Sequence, residues 1–140
     1  MQYSSRLTIA VHILLCIEEF KDEKKVTSSF LAGSIGVNPV IVRNVLGQLK
    51  KSGFVNVAAG VGGSTLAKEP KDITMLDIFN AVEASGETLF HFHENPNPEC
   101  PVGRRVHAVL DDRLLDVQHA MENKLNEITL QSVIDDMKKI

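Results

Sequence analysis

Cysteine is scarce in this 140-residue sequence, with Cys16 and Cys100 the two present. One chain therefore cannot build a disulfide scaffold or a four-thiolate zinc site. Long hydrophobic runs are missing as well. The longest, residues 7–17, is about half a membrane span and contains His12. It has neither the basic start nor the small-residue cleavage site of a signal peptide, so a cytoplasmic protein without a membrane partner is expected. No internal repeat and no low-complexity tract occurs. What is present is core material, 44% hydrophobic residues against 24% charged, in about one domain's length. A chain of this size buries about two-thirds of its unfolded surface and folds without metal or disulfide.

A net charge of −3 argues superficially against nucleic acid, but the distribution is uneven. Residues 1–71 hold nine Lys/Arg and five Asp/Glu, a net of +4. Residues 72–140 hold six and thirteen, a net of −7. A basic half joined to an acidic half suits a polyanion-binding face carried by a part that avoids the polyanion.

Hydrophobic spacing divides the chain into elements. Over residues 4–20, Leu7, Ile9, Ala10, Ile13, Leu14, Ile17 and Phe20 recur at helical steps and predict a largely buried helix. Thr27, Ser28 and Ser29 offer hydroxyl caps for a short helix reaching about Ile35, which Gly36 stops. Asn38 caps the next helix, with Pro39 at its first position. Val42, Val45, Leu46 and Leu49 form its apolar face, and it ends at Ser52-Gly53. Residues 54–59 read as a strand, Gly60-Val61-Gly62-Gly63 as a tight turn, and residues 64–68 as the returning strand.

Pro70 closes that unit. Thr74 opens a helix with Asp77 as an approximate capping box and Leu76, Phe79 and Val82 as its stripe. Residues 84–103 lack periodicity and read as a loop. From Arg104 onward, Val106, Leu110, Leu114, Val117, Met121, Leu125 and Ile128 follow at steps of three and four, a long helix with one narrow stripe. Residues 129–140 form a last helix capped by Thr129. The expected organisation is a DNA-binding unit over 1–83, a loop over 84–103, and a dimerisation helix with a C-terminal helix over 104–140.

The strongest functional signal lies between Ser28 and Val45. Leu31, Ala32, Ile35, Gly36, Val37, Val42 and Val45 follow the packing pattern of a helix-turn-helix, with alanine where helices approach and glycine at the left-handed turn. The glycine-turned hairpin that follows makes it a winged helix-turn-helix. Asn38, Val40, Arg43 and Asn44 then lie opposite the apolar anchors, near the end that enters a major groove. Arginine can grip guanine bidentately, asparagine can pair with adenine, and valine can touch a thymine methyl. Ser28 and Ser29 suit a phosphate at a helix N-terminus. Lys50 and Lys51 are either phosphate ligands or a solvated helix end. The segment with Gly62, Gly63 and Ser64 lacks the Lys-Ser/Thr of a phosphate loop, and reads as a wing tip whose backbone approaches DNA.

Three further features carry chemistry. His91, His93, Cys100 and His107 do not form a readable metal site, and loop histidines near a dimer surface are the plainer reading. Cys16 sits in the most apolar helix as a packing residue. Cys100 precedes Pro101 near a helix N-terminus and two arginines, a setting that lowers a thiol pKa, and is the candidate redox sensor. A cysteine-dependent enzyme built on Cys100 and His107 would lack an acid partner. A winged helix used only for protein contacts stands as the other alternative.

The span 27–67, above all LGQLKKSGFV and GVGGSTLA, resembles the Rrf-two family of bacterial winged-helix regulators, and ITMLDIFNAVE, ECPVGRRV and EITLQSVI extend the likeness over nearly the whole chain. The resemblance implies a homodimer joined by the long helix through Val106, Leu110, Leu114, Val117, Met121 and Leu125. It also implies operator binding by residues 38–44 and the wing. Cluster-binding members carry three closely spaced cysteines before the long helix, where this chain has Cys100 alone. The family's wing arginine is replaced by Ala58-Ala59. The resulting expectation is a mostly α protein with a small β-hairpin wing, a regulator without cofactor or metal. Its partners would be double-stranded DNA, a second copy, and an unidentified small-molecule or redox signal.

Overall fold

The computed structural model describes residues 5–59, 62–83 and 89–140; Ser4, Gly60 and Val61 of the expected elements, and the start of the expected loop, lie outside them. Helix α1, Arg6–Phe20, buries Ile9, Ala10, Ile13, Leu14, Cys16 and Ile17. Helix α2, Ser28–Ile35, starts at Thr27, whose Oγ1 accepts the Phe30 amide at 3.1 Å. It ends at Gly36, where φ of 82° places the backbone in the left-handed region and its amide reaches the Ala32 carbonyl at 2.8 Å. Helix α3, Pro39–Lys51, opens on Asn38, whose Oδ1 accepts the Val40 amide at 2.9 Å. The bend between α2 and α3 is 113°, within the range of a helix-turn-helix.

The wing is an antiparallel pair, β1 (Val55–Val57) with β2 (Ser64–Leu66), in register Val55↔Leu66, Asn56↔Thr65 and Val57↔Ser64. Both strands are shorter than their sequence runs. Pairing nevertheless continues beyond them through the Ala58 amide to Gly63 and the Ala67 amide to Phe54.

Helix α4, Met75–Val82, carries a complete capping box. The Asp77 amide donates to Thr74 Oγ1, and the Thr74 amide donates to an Asp77 carboxylate oxygen, both at 3.0 Å. Helix α5, Val106–Glu127, begins two residues later than expected, because 101–105 form turns. Helix α6, Leu130–Met137, is capped by Thr129. The Met75 amide bonds the Ile128 carbonyl and the Leu130 amide bonds that of Ile73, each at 2.8 Å. These two bonds stitch the start of α6 to the start of α4. Leu130 and Ile134 consequently join the core formed by α1 to α4 and β1, although α6 reads from sequence as part of a C-terminal segment with α5. α5 rests on α4 and contains no buried residue. No single helix among the described residues is long and apolar enough to cross a membrane.

Candidate nucleic-acid interface

Helix α3 is divided cleanly between its two faces. Val42, Val45, Leu46 and Leu49 are buried, while Asn38, Val40, Arg43 and Asn44 are exposed, Val40 to 55%. Pro39 is half-buried at the first turn. The structure separates the two asparagines. Asn38 spends an oxygen lone pair on the Val40 amide, which fixes its rotamer for capping. Asn44, a turn and a half into the helix, has no such duty among the described residues and is the better geometry for an adenine edge. Arg43 forms no ion pair among the described residues. Ile41, inside the 38–44 span but not singled out by its residue type, is exposed beside Val40. Its signal was available, because it falls one residue off the buried 42/45/46/49 stripe.

Ser29 is exposed and Ser28 half-buried at the N-terminus of α2. Lys50 and Lys51 are exposed on the last turn of α3, where cations also complement the helix dipole. Two further cations flank the unit. Lys24 lies 4.8 Å from the Phe30 ring centroid and 5.2 Å from that of Phe20. Lys68 lies 5.2 Å from that of Phe54. Each ammonium is held over an aromatic face.

The wing corrects the sequence reading. Ser64, expected to touch DNA, is 6% exposed, and its amide donates to the Val26 carbonyl at 2.9 Å. Gly63 has φ of 78°, and a Cβ there would come within 2.9 Å of the Val26 nitrogen. A Cβ on Gly62 would run into that of Ala58. The glycines are therefore required for the hairpin to close and to lie on the Val26 segment, with or without DNA. Among the described residues of the two strands and their turn, the exposed ones are Asn56, Val57, Ala58, Ala59 and Thr65, none of them a cation.

The expected α5 stripe is split by the structure. Val106, Leu114, Met121 and Leu125 are half-buried within the protomer, whereas Leu110 (39%) and Val117 (49%) are exposed together with Val109.

Cys100 is half-buried, and its thiol pKa is lowered by hydrogen bonds from the backbone amides of Gly103 and Val102. The turn that follows it does what the sequence assigned to a helix terminus and to Arg104 and Arg105, since α5 starts only at Val106. The His107 ring lies 5.2 Å from that of His93, with Nδ1 3.0 Å from an Asp111 oxygen. Among the described residues no group of three or more His, Cys, Asp or Glu could hold a metal ion.

Comparison with known proteins agrees with this geometry. The Rrf2 family model, described as an iron-dependent transcriptional regulator, matches residues 3–136. The chain is 42% identical over 132 residues to YwnA of Bacillus subtilis, named as an HTH-type transcriptional regulator, covering 94% of this chain and 96% of that protein. A crystal structure of a protein named as DNA-binding superposes with a TM-score of 0.75 at 39% identity, covering 93% and 99% of the two chains. The fold is shared with IscR of T. potens, with a TM-score of 0.72 at 24% identity over 98% and 88%. The iron of the family description finds no matching ligand set here, because an iron–sulfur centre takes about four ligands and the described residues offer Cys100 as an isolated thiol. A two-faced α3, a hairpin fastened beside it and a family match over nearly the whole length together place this chain in the Rrf2 family of winged helix-turn-helix transcriptional regulators.

Proposed function

We propose that the protein acts in the cytoplasm as a homodimeric repressor, reading a pseudo-palindromic operator in double-stranded DNA with one α3 per half-site. The two-faced α3 is the observation that carries this reading. Its anchors are fully used by the core, so the exposed Val40, Arg43 and Asn44 have no packing role, and they are the residue types that read base edges. The net +4 of residues 1–71 supports approach to phosphate, and Ser28, Ser29 and Lys50 supply positioning contacts that carry no sequence information. Exposed Leu110 and Val117 on α5 supply the apolar contact for a second copy. A dimer covering two successive turns of duplex represses by occupying the promoter. Cys100 is the input, because a lowered thiol pKa favours attack on peroxide and conversion to sulfenic acid.

Genome-wide footprinting of the protein in its own cell tests this reading. Discrete protected sites overlapping promoters, with transcription rising when the protein is removed, are the expected result. Protection spread without regard to sequence would overturn it, as would no protection at all, which favours the protein-contact alternative.

A further inference from the structure

The turn between α1 and α2 holds Lys21, Asp22, Glu23, Lys24 and Lys25, all exposed. The structure uses its three lysines differently. Lys21 pairs with Glu18 at 2.8 Å. Lys24 lies 4.8 Å from the ring centroid of Phe30 and 5.2 Å from that of Phe20, and the two rings meet edge to face at 5.1 Å. With the Lys24 amide on the Phe20 carbonyl at 3.2 Å, this contact ties α1 to α2 and fixes the course of the turn. Lys25 forms neither an ion pair nor a ring contact among the described residues. Resting on the DNA-binding reading above, we propose that Lys25 grips a backbone phosphate beside the wing, supplying from the turn the cation that the hairpin itself does not have.

The hairpin is the reason for the assignment. Residues 54–67 contain no lysine or arginine, so a wing brought to DNA meets a polyanion with backbone and uncharged side chains alone. Its glycine end lies on the backbone next to Lys25. The Ser64 amide donates to the Val26 carbonyl at 2.9 Å, and a Cβ on Gly63 would come within 3.3 Å of the Lys25 carbonyl carbon. On the other side, α2 begins at Ser28, three residues further along. Lys25 therefore stands between two parts already assigned to the duplex, the wing and the start of α2. A lysine ammonium is a compact charge on a flexible four-carbon stem, which suits a phosphate and carries no sequence information. Asp22 and Glu23 hold the whole turn to a net of +1, so the contact is the work of one residue and not of a basic patch.

Salt dependence of DNA binding by the full chain decides the matter. Affinity is titrated at several salt concentrations on two probes: a duplex selected from a random library by the wild-type protein, and a duplex of unrelated sequence. Lys25→Gln should lower the slope of log affinity against log salt by about 0.9 for each bound protomer and weaken both probes by a similar factor. Lys25→Arg should keep the wild-type slope. Lys24→Gln should lower the melting temperature and keep the slope, because its ammonium works for the turn. Lys68→Gln, which removes an equally exposed lysine at the other end of the hairpin, should also keep it. Circular dichroism checks that each variant is folded. An unchanged slope for Lys25→Gln, or an equal loss for Lys68→Gln, would refute the contact and leave the DNA-binding reading standing. A wild-type protein that binds neither probe would refute both.

Discussion

Arg43 offers five N–H donors from a helix face with no other use for them, so its removal is a direct reading of specificity. Arg43→Ala should weaken operator binding by ~1–3 kcal/mol and relax discrimination at one base position. Titrations against the operator and its single-base variants measure both effects, and equal loss on every sequence would reduce Arg43 to a phosphate contact. Gly63 works for the fold. With φ of 78° and the Val26 backbone within 2.9 Å of where a Cβ would sit, Gly63→Ala should cost about 1–3 kcal/mol of stability, seen as a lower urea midpoint at unchanged m-value. Undiminished stability would show that the hairpin is not fastened there. Cys100 is judged by reactivity. Because amides from Gly103 and Val102 stabilise the thiolate, iodoacetamide alkylation should rise with pH at values below the ordinary thiol range. Peroxide should lower operator affinity in the wild type and leave Cys100→Ser unaffected. Equal affinities throughout would remove Cys100 from the signal path.

Among the elements, α5 makes the clearest claim. Replacing exposed Leu110 and Val117 together by glutamate should yield a folded monomer with much weaker operator binding. An unchanged dimer in sedimentation would place the contact elsewhere. The elements most legible in the sequence are those built from neighbours along the chain. Thr27, Asn38, Thr74 and Thr129 announce helix starts because a cap and its amide lie two or three residues apart, and Gly36 announces a stop for the same local reason. The α3 face was legible because its period is the helix's own. The wing's attachment to Val26 was not, since that contact joins segments almost forty residues apart that share no pattern. The return of Leu130 and Ile134 to the core was hidden likewise, because an amphipathic helix states that it has a buried face without naming what covers it. The stripe on α5 could not say which of its residues are half-buried within the protomer and which are exposed.

At the scale of the whole molecule, the basic 1–71 segment and the acidic remainder share one core, so in the proposed homodimer the position of one α3 relative to its twin is set by how two protomers join. A homodimer with rigidly related reading helices accepts only duplexes whose half-sites lie at the matching spacing. Selection of bound duplexes from a random library by the purified protein measures this without knowledge of any target gene. Enrichment of an inverted repeat with half-sites about one helical turn, or a whole multiple of it, apart, lost in the Leu110→Glu with Val117→Glu variant, is the predicted result. Recovery of no common sequence, or of a single unrepeated half-site bound equally well by that variant, would contradict it.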